Sequence, residues 1–148
     1  MQTAIKTKPD IGISMNYPGI IPQSVIDCFP LGVLNAHGGD LPRYRGNACQ
    51  AWAILNGEER VGLCIHKMIG GELDSGDIIA REFLQIDINT SITEVWHSMS
   101  RRIPSLFLES VKKIFETFPD STIHSIEPDR DSDDINQDNK ANLRQEKK

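Results

Sequence analysis

Nowhere does the chain carry an unbroken apolar run of the roughly 18 residues that a membrane-spanning helix needs. Its start, Met1-Gln2-Thr3-Ala4-Ile5-Lys6, also lacks the apolar core of a secretory signal, so the expected compartment is the cytoplasm, with no membrane partner. Cysteine is scarce: Cys28, Cys49 and Cys64 are odd in number and match no zinc or redox spacing. That argues against a disulfide framework and points to reduced, buried thiols. Positive charge is short as well, with 16 Lys+Arg against 21 Asp+Glu and a net charge of -5. No basic stripe is available for a phosphate backbone, so nucleic acid is not the first partner to expect. What remains, 39% hydrophobic and 25% charged residues over 148 positions, suits one globular domain with a moderate core.

Several segments show clear periodicity. Residues 11–17 alternate as a strand and stop at Pro18-Gly19, while Ile21 to Cys28 reads as a short helix that Pro30 prevents from continuing. Gly32 to His37 reads as a short central strand, followed by loop to Gly46; strand, helix, strand in this order implies a parallel sheet. Asn47 is placed to cap a helix over 48–55, with Ala48, Ala51, Trp52 and Leu55 forming its apolar face. Val61, Leu63 and Ile65 alternate in a further strand, and Asp77 to Leu84 supplies another. Ser91 and Glu94 form a capping box that opens a helix with Ile92, Val95, Trp96 and Met99 at helical spacing. Pro104 predicts a kink or restart before a second apolar face of Leu106, Phe107, Val111, Ile114, Phe115 and Phe118. Residues 127–148 contain too few apolar side chains to offset the entropy of ordering and are expected to be a disordered tail. Only two parallel strands precede the loop-rich part, fewer than the unit that usually opens a doubly wound sheet.

The densest chemistry lies at the end of the central strand. Asn35 and His37 are separated by one residue, so a strand projects both from the same face. Asn35-Ala36-His37, then Leu41-Pro42-Arg43-Tyr44-Arg45-Gly46, then Leu73-Asp74-Ser75-Gly76-Asp77 together resemble the folate-dependent formyltransferases. That family includes enzymes acting on methionyl-tRNA, glycinamide ribonucleotide and sugar nucleotides. The resemblance spans residues 9 to 118 and implies an α/β, Rossmann-like catalytic domain lacking its first strands and helices, here residues 1–126. It implies Asn35, His37 and Asp74 as the catalytic trio, Gly71, Leu73 and Asp77 as contacts to the donor, and N10-formyltetrahydrofolate as that donor. The chain departs from the family's commonest loop, His-Pro-Ser, by carrying His37-Gly38-Gly39.

These residue types suit formyl transfer on chemical grounds as well. The reaction needs a donor at the oxygen where negative charge develops and a route for the amine proton to leave. An amide N–H at Asn35 fills the first need, and an imidazole at His37 serves either. Asp74, if close to that imidazole, orients it. Arg43, Tyr44 and Arg45 are candidates for an anionic substrate, the guanidinium groups by charge and Tyr44 by stacking. The bland alternatives are loop-capping roles for Asn35 and His37, a plain turn around Asp74 and a solvated basic loop at 43–45. His66 alternates onto the strand face opposite Val61, Leu63 and Ile65; it is read as a structural or surface residue, though within reach of the site. His97 and His124 are read as solvated. A metal held by His37, His66, Glu72, Asp74 and Asp77 has no recognised spacing behind it, and none is expected.

The favoured acceptor is the amino group of a nucleotide-linked sugar, by resemblance around Tyr44 to Trp52 and because residues 1–126 hold 11 Lys+Arg against 14 Asp+Glu. Alternatives are a methionyl-tRNA formyltransferase-like enzyme, a formyltetrahydrofolate hydrolase, and an inactive fragment or partner-dependent half. A sheet without its first strands has an uncovered edge, so Ile11, Ile13, Val33 and Leu34 are expected to face solvent on one side. A homodimer, aggregation or a partly molten state with weak folate binding is the corresponding expectation for the isolated chain.

Overall fold

The computed structural model describes residues 9–117, and the expectations for Phe118, His124 and the 127–148 tail fall outside them. Short apolar or alternating stretches form four strands, β1 (Gly12–Met15), β2 (Val33–His37), β3 (Arg60–Lys67) and β4 (Ile78–Gln85). Three helices intervene or follow: α1 (Gln23–Ile26), α2 (Cys49–Leu55) and α3 (Ile92–Thr117). The strands lie side by side in the order β1-β2-β3-β4. The crossover through α1 makes β1 and β2 parallel, as their order in the chain implies. The rest of the sheet corrects the all-parallel expectation, because β3 runs antiparallel to both β2 and β4. The fold is thus α/β with a mixed sheet.

Register decides which side chains share a face. Asn35 lies opposite His66 and His37 opposite Cys64, so all four project from one side of the sheet. Leu34, Val61, Leu63, Ile65, Ala80 and Leu84 occupy the other side and form one cluster with Ala53 of α2 and with Val95, Met99, Leu106, Phe107 and Ile114 of α3. One face is therefore an oily floor under α3. The other is left for chemistry and is overlaid by the loop 38–46, whose approach depends on Gly62. A Cβ there would lie 2.7 Å from Asp40 Cα.

Several local expectations change. Ala48, not Asn47, occupies the N-cap position of α2, in the left-handed region (φ 57°) and without a side-chain cap. The buried face of α2 is Cys49 and Ala53, while Trp52 is 57% exposed and Leu55 more so. Small side chains at 49 and 53 let the helix sit close, with Cys49 tied to the loop by its thiol. Helix α3 runs unbroken through Pro104. Pro104 and Ser100, whose carbonyl the missing N–H would have bonded, are both exposed, so water can serve that carbonyl. The capping box holds: Ser91 N–H and Oγ both donate to Glu94 Oε2 at 2.8 Å, and Glu94 N–H donates back to Ser91 Oγ. Val95 and Met99 are buried as expected, whereas Ile92 and Trp96 are not. Cys28 is exposed rather than buried, and His97 is exposed as anticipated. Ile13 is 58% exposed, but Leu34, packed in the cluster under α3, is fully covered, and Val33, on the opposite face, is buried as well.

Candidate active site

Alternation along β2 brings Asn35 and His37 to the polar face, and the loop between β3 and β4 returns Asp74 to meet them. Asp74 holds φ 48°, a left-handed conformation that Asp tolerates better than most residues. Its Oδ2 accepts the Gly46 N–H at 2.9 Å and lies 3.4 Å from His37 Nδ1. One carboxylate oxygen therefore ties the two site loops together and faces the imidazole. The expected trio is assembled.

The imidazole of His37 is buried and held on its far side. Its Nε2–H donates to the Tyr44 carbonyl at 2.7 Å, because a carbonyl can only accept. Nδ1 is then the nitrogen turned toward Asp74. Gly39 makes room for this bond, since a Cβ there would stand 2.6 Å from both His37 Nε2 and Tyr44 O. Burial works against ionisation of Asp74, yet the neighbouring His66 ring, the Gly46 N–H and the His37 ring outweigh it and hold the carboxyl below its usual range. Asp74 is a carboxylate at neutral pH.

His66 is the participant that sequence reasoning undervalued. Far from lying at the surface, it is 1% exposed, with Nε2 3.2 Å from Asn35 Nδ2 and 3.5 Å from Asp74 Oδ1. Its ring meets that of His37 edge-on, with centroids 6.3 Å apart. The alternation in β3 already put His66 away from the oily face; only the register with Asn35 was missing. Cys49 was also overlooked. Its thiol donates to Gly46 O at 3.2 Å and lies 3.6 Å from His37 Nε2. Burial, together with the Asp74 charge, pushes this thiol up, so it is a neutral packing group rather than a nucleophile.

The basic loop is partly committed elsewhere. Arg43 is paired with Glu58, and Tyr44 donates from its hydroxyl to the same carboxylate at 2.7 Å while accepting from Asn56 Nδ2 at 3.0 Å. The Tyr44 and Arg43 hydrogen bonds and the Arg43 and Arg60 charges outweigh desolvation and lower the Glu58 carboxyl from its usual value. Arg45 is exposed. Gly71, Leu73 and Asp77 are exposed on the loop that carries Asp74; Gly71 has φ 79° and the Asp77 carbonyl accepts the Lys67 N–H. Among the described residues no helix is long and apolar enough to cross a membrane.

A family model described as formyl transferase matches residues 1–111. The methionyl-tRNA formyltransferase of Acetivibrio thermocellus is 32% identical over 126 residues, which cover 85% of this chain but 39% of that protein. The chain thus spans well under half of the curated relative's length. The crystal structure of a formyltransferase from Anoxybacillus kamchatkensis, solved with UDP-4,6-dideoxy-4-formamido-L-AltNAc and tetrahydrofolate, superimposes with a TM-score of 0.59 at 26% identity. That match covers 71% of this chain and 55% of the other. The phosphoribosylglycinamide formyltransferase of Bacillus halodurans shares the fold, with a TM-score of 0.68 at 20% identity over 77% of this chain and 58% of its own.

Proposed function

The chain belongs to the formyl transferase family, and from that premise we propose that Asn35, His37 and Asp74 transfer a formyl group from N10-formyltetrahydrofolate to an amine. The observation that carries the reading is the assembly of an amide donor and an imidazole–carboxylate pair on one sheet face. The donor, when bound, supplies a formyl carbon attached to a nitrogen leaving group. Asn35 has one amide N–H engaged by His66 and a second to offer to the formyl oxygen as negative charge develops there. His37 takes the proton that the attacking amine sheds at Nδ1, since Nε2 is committed to Tyr44 O. Asp74 stabilises the resulting imidazolium, and the same proton is then available to the departing nitrogen.

For the acceptor we favour a nucleotide-linked amino sugar. Support comes from the acidic balance of the chain and from the crystallised relative whose complex contains a UDP-linked formamido sugar. A second reading, the amine of an aminoacylated tRNA, draws on the 32% identity to a methionyl-tRNA formyltransferase. Incubating the protein with N10-formyltetrahydrofolate and, in separate tubes, a UDP-linked amino sugar, methionyl-tRNA or no amine tests both. Mass spectrometry of the product and release of tetrahydrofolate are the readouts. Formylated sugar is the expected product; formylated methionyl-tRNA alone would transfer the assignment, and formate release without an amine would make the protein a hydrolase.

A further inference from the structure

We propose that His66 is a positioning residue whose neutral ring holds the Asn35 amide in its working orientation and whose protonation releases it. The proposal rests on the formyl-transfer reading for its catalytic consequence, but its geometry stands apart. His66 Nδ1 lies 2.8 Å from the Lys67 carbonyl, which can only accept, so the proton sits on Nδ1. In the neutral ring Nε2 is then a bare acceptor, and Asn35 Nδ2 donates to it at 3.2 Å. An amide can rotate end for end at little steric cost, and this bond is what selects the rotamer with N–H groups outward. The backbone thus sets a tautomer, the tautomer sets an amide, and the amide faces the reacting oxygen.

A proton added at Nε2 reverses the arrangement. Nε2 becomes a donor confronting the donor Nδ2, while Asp74 Oδ1, 3.5 Å away, offers the alternative partner. Among the described residues, the titratable side chains on His66's side of the sheet near it are Asp74 from the β3–β4 loop, His37 from β2 and Cys64 two positions back on β3. The protonated ring therefore turns to Asp74 and competes with His37 for it, and Asn35 loses its anchor. Both effects lower the rate in acid.

Two arms test this. In the isotopically labelled full chain, with no substrate, imidazole nitrogen spectra at neutral pH should show His66 as the Nδ1–H tautomer, and the Asn35 side-chain NH2 signals should shift together with His66 as pH falls. An Nε2–H tautomer at neutral pH, or Asn35 signals indifferent to His66 protonation, would overturn the proposal whatever the enzyme does. In the kinetic arm, His66→Phe should lower kcat by roughly 10- to 100-fold, part of the value of an oxyanion donor, with the KM for the amine within about twofold. His66→Gln, which presents an oxygen acceptor that cannot be protonated near neutrality, should recover much of the loss and remove one ionisation from the acid limb. Equal kcat in the Phe variant and wild type would also overturn it. A wild-type protein with the expected spectra but no formyl transfer would instead sink the functional reading and leave the His66–Asn35 coupling standing.

Discussion

Asp74 joins three neighbours through one carboxylate, so its removal should be felt in stability as well as in rate. Its folded-state carboxyl is held below the unfolded value of about 3.9, so its contribution is fully present above that value and is lost as pH falls through the folded one. Urea midpoints of wild type and Asp74→Asn should therefore differ by a constant amount at neutral pH and converge below about pH 4. A difference that grows in acid would reverse the assignment. At Gly39 the constraint is steric: Gly39→Ala places a methyl against His37 Nε2 and Tyr44 O and should cut activity by at least about tenfold, part of the roughly hundred- to ten-thousand-fold that general-base catalysis contributes. Retention of full activity would mean that the bond to Tyr44 does not matter. The shared face of Asn35 and His37 was legible from their spacing, whereas their grouping with Asp74 came from the resemblance and not from spacing. His66 was not legible, because strand alternation gives a face but not the partner across the ladder.

At the scale of elements, periodicity located every strand and helix among the described residues but misjudged some faces. Helix α2 is too short for its apolar residues to settle its orientation; the thiol of Cys49, bonded to Gly46 O, does so and leaves Trp52 outside. Pro104 was read as a kink or restart because proline removes a bond; α3 does not restart there, and Ser100, whose carbonyl loses that partner, is exposed. The β1 edge and the core of β2 should respond differently to truncation. Leu34→Ala should cost about 2–5 kcal/mol and Ile13→Ala under about 1, because only the first leaves a cavity. Chemical denaturation measures both, and equal losses would mean that Ile13 is covered in solution. Ser91→Ala should cost about 1 kcal/mol through loss of the α3 cap.

For the molecule as a whole, the placement of chemistry follows from a division of labour between sheet faces, with α3 and the core on one and the two site loops on the other. The resemblance to the formyltransferases and the α/β class could be read from the chain itself; the antiparallel half of the sheet was missed, because the connection through α2 permits either direction, although the helix-free connection 68–77 is too short for a parallel crossover. Overall charge bears on the acceptor. A tRNA-binding surface making six or more phosphate contacts would weaken by about a thousandfold or more between 50 and 200 mM salt, whereas the KM for a nucleotide sugar should change by no more than about tenfold. The account's central claim, that one amide–imidazole–carboxylate cluster carries formyl transfer, is tested most directly by following a 13C-labelled formyl group from N10-formyltetrahydrofolate to the amine in wild type, Asn35→Ala and His37→Ala. Rates are normalised to folded protein by circular dichroism. Each substitution is expected to lower transfer by roughly a hundred- to a thousand-fold; rates within a few-fold of wild type in both variants would contradict the site.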